Sequence, residues 1–251
     1  MTASVHSVSA AALRCFILAA EADSAGMFAK LRGFFDKLGG DILAATWQHI
    51  LLTLIGIGAA IAIGVPLGIY LTRTRWPRLA SVFLGAAGVV QTVPTLAMIA
   101  FIVLIFAFLP GLPTIGFLPG VVSLILYALL PILRNTYTGI RQVDPAVTEV
   151  AVGMGMTPRQ VLFRVELPLS LPVIMAGIRI STVWTIGIAT LAGLIGAGGL
   201  GDLIFRGLRS LPRTADYLVA GTVPAAILAL AFDFVLGKVE RWLTPAGLRE
   251  A

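Results

Sequence analysis

From Leu79 to Leu133 the chain reads LASVFLGAAGVVQTVPTLAMIAFIVLIFAFLPGLPTIGFLPGVVSLILYALLPIL, 55 consecutive positions without one charged residue. As a single helix rising about 1.5 Å per residue it would exceed 80 Å, against a bilayer core of about 30 Å. The stretch must therefore turn back. Pro110-Gly111, Pro113, Gly116 and Pro119-Gly120 supply the break, which leaves apolar spans over 79–109 and 117–138. Pro94, after Gln91-Thr92-Val93, falls inside the first of these and is expected to kink or interrupt it.

Outward from this pair the same test finds three more spans, at 50–71, 172–197 and 217–237. The fold class is an all-α membrane protein with about five core transmembrane helices. Composition agrees: 58% of residues are hydrophobic, 12% are charged and the mean hydropathy is +0.98, whereas a soluble domain carries about a quarter charged residues. Residues 1–46 differ. Val8–Ala20 is short and contains Arg14, while Phe28, Leu31, Phe35 and Leu38 recur at helical spacing among Lys30, Arg32, Asp36 and Lys37. This segment reads as an amphipathic or extramembrane helix, followed by a transmembrane region over 47–242 and a cytoplasmic tail over 243–251.

The formal net charge is +6, but the basic residues sit at the ends of apolar spans. Arg73, Arg75, Arg78, Arg134, Arg141, Arg159, Arg164, Arg179, Lys238, Arg241 and Arg249 all fall on one side if there are five crossings. By the positive-inside rule that side is cytoplasmic. Arg206, Arg209 and Arg213 fall on the other, partly offset by Asp202 and Asp216. No basic patch interleaved with aromatics suggests nucleic acid. Cys15 is the only cysteine, and His6 and His49 read as ordinary polar groups near the membrane surface, so no metal site is expected. Asp233 lies inside the last span, where a lone charge is costly. Arg179 is its expected partner, as a structural ion pair.

The loop between the third and fourth spans is specified more closely than a simple connection needs. Asp144 and Pro145 read as N-cap and first residue of a short helix, Gly155 as its left-handed C-cap, and Thr157-Pro158-Arg159-Gln160 as a capping box opening a second helix. The expected product is helix, sharp turn, helix outside the bilayer.

Glu149-Val150-Ala151, Gly155 and Val165-Glu166-Leu167-Pro168 resemble, in spacing, the cytoplasmic coupling loop of type I ABC importer permeases, with Val150 in place of an Ala and Val165 in place of an Ile. Gln91 to Leu96, Tyr127 to Tyr137 and Ile195 to Asp202 resemble the osmoprotectant permeases, which carry glycine betaine, choline, carnitine or related quaternary amines; the glycine-rich last segment is shared with methionine-type permeases. The resemblance covers about 47–242. It implies an ATPase-coupling loop of Glu149, Ala151, Gly155, Val165, Leu167 and Pro168. It further implies ABC ATPase subunits as partners, a second permease copy or paralogue, and a periplasmic or lipid-anchored substrate-binding protein in contact with Gly198, Gly199 and Asp202. Gln91, Thr92, Pro94 and Tyr127 are the candidate pathway or gate residues. Tyr127, Trp184 and Tyr137 offer faces to a quaternary ammonium, with core packing as the competing explanation.

No G-x-x-x-x-G-K-[ST] loop is present. ATP and Mg are therefore expected on the partner ATPase, and no cofactor and no enzymatic activity on this chain. A methionine-type importer permease differs only in cargo, and an ATP-independent secondary carrier or channel is the alternative of another class. Gly85, Gly88, Gly187, Gly193 and Gly196 are read as close-approach positions between helices.

Overall fold

The computed structural model describes residues 3–210 and 214–244, with side chains described from residue 29 onward. Among the described residues nine α-helices follow one another: α1 (Ala3–Arg73), α2 (Pro77–Thr92), α3 (Thr95–Ala107), α4 (Phe117–Arg141), α5 (Pro145–Gly153), α6 (Pro158–Val161), α7 (Leu167–Ala192), α8 (Leu200–Arg209) and α9 (Thr214–Leu243). Two compact units are present, Met1–Leu43 and Ala44–Ala251. In the first, Leu38 is buried whereas Leu31 and Phe35 are exposed; Phe28, Cys15 and His6 lie outside the described side chains.

Among the described residues four helical runs are long and apolar enough to cross a membrane: Ala29–Arg73, Phe117–Arg141, Pro158–Ile195 and Thr214–Leu243. A fifth arises if α2 and α3 count as one broken span. These two meet at 106°, which is the interruption expected at Pro94. The proline has no N–H and its ring excludes the helical conformation at the residue before it. Val93 is accordingly extended, with φ −72° and ψ 127°.

The second unit is built around α4, which packs on α1 along one side and on α7 along the other. Leu52 meets Val121 and Leu124, and Ile57 and Ala60 meet Ala128 and Ile132. Gly56, Ala60, Gly64 and Gly68 recur every four residues on the α1 face, so small side chains line the contact. A Cβ at Gly68 would stand 2.7 Å from Thr136 Cβ, and one at Gly64 3.0 Å from Ile132 Cγ2. Between α4 and α7 a Cβ at Gly177 would meet Asn135 Cβ at 2.6 Å. Ser181 Oγ donates to the Ala128 carbonyl at 3.1 Å across the same contact. Without a hydrophobic drive between helices in lipid, such close backbone approach supplies the van der Waals contact that holds them.

This corrects the sequence reading. A Cβ at Gly85, Gly88, Gly187 or Gly196 would meet nothing within 4 Å, so the close approaches are made elsewhere, except at Gly193, where the Asp202 amide nitrogen would lie at 2.6 Å. Spacing alone does not separate the two sets, because Gly85 and Gly88, three apart, also share a helix face. The difference is in what packs there: α4 lies against the face of Gly56, Gly64 and Gly68, and no described residue comes within 4 Å of a Cβ at Gly85 or Gly88.

The fourth span begins earlier than residue 172. The short helix α6 runs without a break through a π-helical turn, Leu162–Glu166, into α7. The Leu167 amide bonds back to Leu162 O, five residues earlier. In a regular helix the Pro168 ring would collide with the Arg164 carbonyl. The wider turn displaces that carbonyl, and the helix continues past a residue that ordinarily ends it.

Candidate functional site

The loop between α4 and α7 has the local chemistry expected of it. Asp144 caps α5, its Oδ1 accepting from the Ala146 amide at 2.8 Å. At the other end Gly155 is left-handed, with φ 82°. Its N–H bonds to Val152 O at 2.9 Å, and that of Met156 to Ala151 O at 3.2 Å. This pair of bonds is a Schellman motif, closing the carbonyls that a helix end leaves open. Thr157 then opens α6 with a capping box: its N–H donates to Gln160 Oε1 at 2.8 Å, and the Gln160 amide donates to Thr157 Oγ1.

Ala151 is the buried residue of α5, while Val147, Val150 and Met154, at i, i+3 and i+7, are exposed, as is Glu149. An apolar helix face thus stands free beside charge. Val165, Leu167 and Pro168 are half-buried at the root of the loop. Glu166, exposed by only 7%, pairs there with Arg73 from the end of α1. Arg73, Thr148, Glu149, Val152, Pro158, Val161 and Glu166 line a groove of about 390 Å³. Nothing in the spacing of the sequence placed Arg73 there, because the pair joins residues 93 positions apart.

A second site forms where α2 gives way to α3. Tyr127, from α4, donates its hydroxyl to the Val93 carbonyl at 2.6 Å, holding an acceptor that the broken helix leaves without an intrahelical partner. Gln91, Thr92, Val93, Pro94 and Thr95 then line a cavity of about 570 Å³ with Tyr127, Val183, Trp184, Gly187, Ile188 and Leu191. The four candidate pathway residues therefore share one cavity. Trp184, 53% exposed, joins them there, whereas Tyr137 packs beside Leu71, Ala80 and Leu133. The Nε2 atom of Gln91 is buried and has no hydrogen-bond partner.

The glycine-rich turn after α7 is a packed joint. A 3-10 turn, Gly193–Ile195, leads into Gly196, Gly198 and Gly199, all with positive φ. The Gly199 amide donates to Gln48 Oε1 at 3.1 Å and the Leu200 amide to His49 Nδ1 at 3.3 Å. Since Nδ1 accepts, the ring carries its proton on Nε2, which donates to Ile186 O at 3.1 Å. His49 is fully buried. It is a pin between α1, α7 and the turn, and so more than the ordinary polar group expected of it. A lone histidine at the edge of an apolar span gave no sign of this. Gly198, half-buried, and Gly199, buried, pack against Gln48 and His49, while Asp202 is half-exposed and pairs with Arg206 at 2.6 Å.

Arg179 reaches Asp233 through two hydrogen bonds, Nη2 to Oδ2 at 2.8 Å being one, and lies 3.5 Å from Glu240. Gly237, between the two carboxylates on α9, leaves room for the guanidinium, which a Cβ there would approach to 3.3 Å. Among the described residues no group of three His, Cys, Asp or Glu side chains is placed to hold a metal ion.

Residues 64–246 match the family described as the binding-protein-dependent transport system inner membrane component. The chain is 50% identical over 218 residues to the carnitine transport permease protein OpuCB of Listeria monocytogenes, covering 87% of this chain and 95% of that protein. It is 47% identical to the choline transport system permease protein OpuBB of Bacillus subtilis (86% and 94% covered), and 40% identical to the osmoprotectant import permease protein OsmW of Salmonella typhimurium (84% and 95%). Among solved structures, the methionine ABC transporter MetNI in an inward-facing conformation matches with a TM-score of 0.73 at 22% identity, over 81% of this chain and 96% of that one. At that identity the likeness is one of fold. The broken second span, the capped loop between α4 and α7 and these matches together place the chain in the family of binding-protein-dependent transport system inner membrane components, as a multi-pass permease with the type I ABC importer fold.

Proposed function

We propose that this chain is the membrane-spanning permease subunit of an ATP-driven osmoprotectant importer, moving glycine betaine, choline, carnitine or a related quaternary amine. The cargo rests on relatives 40–50% identical that are named for carnitine, choline or osmoprotectant transport. The observation that carries the mechanism is α5, capped at both ends and presenting Val147, Val150 and Met154 outside the apolar spans. A short helix stiffened in this way transmits a push, whereas a loose loop absorbs it. ABC ATPase subunits bind this face on the cytoplasmic side, and ATP with Mg is hydrolysed there, on separate chains. Glu149, Ala151, Gly155, Val165, Leu167 and Pro168 form the coupling unit.

Transport follows alternating access. The run from Pro158 to Ile195 connects the docking loop to the cavity at Trp184, so movement of the ATPases reaches the gate formed by Gln91, Thr92, Pro94 and Tyr127 through one continuous helix. A second permease, copy or paralogue, completes the pathway. A periplasmic or lipid-anchored binding protein delivers the solute, touching this chain near Asp202. The Arg179–Asp233 pair is structural: two charges that satisfy each other on adjacent helices. Residues 1–46 are an extramembrane segment outside the transport core of 47–242, and 243–251 a cytoplasmic tail.

The cargo assignment is tested on the cognate binding protein. Titration with glycine betaine, choline, carnitine and methionine is expected to give saturable binding of at least one quaternary amine and none of methionine. Binding of methionine alone would replace the cargo while leaving the permease assignment in place.

A further inference from the structure

The cavity at the helix break carries more than a passage requires. Its apolar wall holds the half-exposed indole of Trp184, and its rim holds a buried amide nitrogen, Gln91 Nε2, that bonds to nothing in the protein. A buried donor left unpaired is destabilising unless something else accepts from it. The same cavity is bounded by Thr92 at the C-terminal end of α2 and by Pro94 and Thr95 at the N-terminal end of α3, and no side chain caps α3. The carbonyls that end one helix and the amides that begin the next therefore meet at one place. The first favour a cation and the second an anion. Tyr127 fixes their relative position through its bond to Val93 O.

Resting on the functional reading above, we infer that this cavity is a solute subsite within the membrane, built for a zwitterion: Trp184 takes the quaternary ammonium on its ring face and the Gln91 amide, buried and unpartnered in the empty cavity that it lines, turns to donate from Nε2 to the carboxylate. A cation alone would satisfy the indole and the α2 carbonyls but leave Gln91 and the α3 amides unpaired. At about 570 Å³ the space lies within the range of small-molecule sites. Among the quaternary amines of that reading, the subsite favours glycine betaine and carnitine, which carry a carboxylate, over choline, which is admitted more weakly.

The test uses the permease–ATPase complex in lipid nanodiscs without binding protein, so that affinity reports on the permease. Titration with glycine betaine, which carries both charges, and with tetramethylammonium, which carries only the cation, is expected to show the zwitterion bound about tenfold more tightly. Gln91→Leu should bring the two within about threefold by weakening glycine betaine alone. Trp184→Leu should weaken both by about tenfold, and Trp184→Phe, which keeps a ring face, should retain most of the affinity. Equal binding of the two probes by the wild type, or a preference unchanged in Gln91→Leu, would overturn the subsite. The whole importer, with its binding protein, is assayed for uptake in parallel. Uptake of quaternary amines with no binding in the nanodiscs overturns the subsite alone, whereas absence of any uptake overturns the functional reading on which it rests.

Discussion

Gly155→Val is expected to abolish coupled transport while the complex still assembles. The residue is left-handed at φ 82°, and a Cβ there would meet nothing within 4 Å, so the cost arises in the backbone and not from crowding. A β-branched side chain in that conformation is disfavoured by about 1–2 kcal/mol. The strain is relieved by opening the Schellman bonds from Gly155 to Val152 and from Met156 to Ala151. The angle between α5 and α6 is then no longer fixed, and the docking face moves relative to the helix that carries motion into the membrane. Uptake should fall by more than tenfold while ATP hydrolysis persists. Gly155→Asn, which tolerates the left-handed region, should keep most of the uptake. Wild-type uptake by a correctly inserted Gly155→Val protein would show that the turn does not transmit the stroke.

Loss of Arg73 should be nearly as severe. Glu166 is 7% exposed and its carboxylate is paired with Arg73 at the end of α1. Arg73→Gln strands that carboxylate beneath the docking loop, at a cost of about 1–3 kcal/mol. The half-exposed guanidinium sets the lower part of this range, because solvent partly screens the pair. Glu166→Gln, which leaves the charge on the more exposed partner, should cost less. The double substitution Arg73→Gln with Glu166→Gln should recover much of the stability, since neither charge is then left alone. Thermal melts of the four proteins in detergent measure the coupling. Additive losses would show that the two side chains do not depend on each other.

How much of this was legible in the sequence depended on the range of the interaction. The break at Pro94, the caps at Asp144, Gly155 and Thr157, and the apolar spans are dictated by residues within a few positions of one another, and each was readable from spacing. The pairing of Arg179 with Asp233 was also legible, because a charge inside an apolar span needs a partner and few are on offer. Arg73 with Glu166 and His49 with Leu200 were not. Each joins segments far apart in the chain, and neither residue stands out where it sits: Arg73 was one of several basic residues following a span, and His49 a single imidazole before one. The fourth span, expected from residue 172, begins earlier because the π-helical turn at Leu162–Glu166 carries the helix past Pro168 without the clash a proline normally makes. The close-packing glycines were misplaced for a related reason. Their number was visible, but which face meets another helix is set by the fold: Gly56, Gly64 and Gly68 meet α4, whereas Gly85 and Gly88, also on one face, meet no described residue. Of the cavity, Gln91 to Pro94 and Tyr127 were recognisable as a group, while the contribution of Trp184 depends on α7 passing the broken helix.

Carriage of a quaternary amine across the membrane, powered by ATP hydrolysed on separate chains, is read out directly by reconstitution. Proteoliposomes containing the permease with its ATPase subunits and supplied with the binding protein should accumulate labelled carnitine, choline or glycine betaine against a gradient. Uptake should require both ATP and the binding protein, and should disappear when ATP is replaced by a non-hydrolysable analogue. Uptake that proceeds without ATP, or that follows an imposed ion gradient in its absence, would contradict the account and make the chain a secondary carrier.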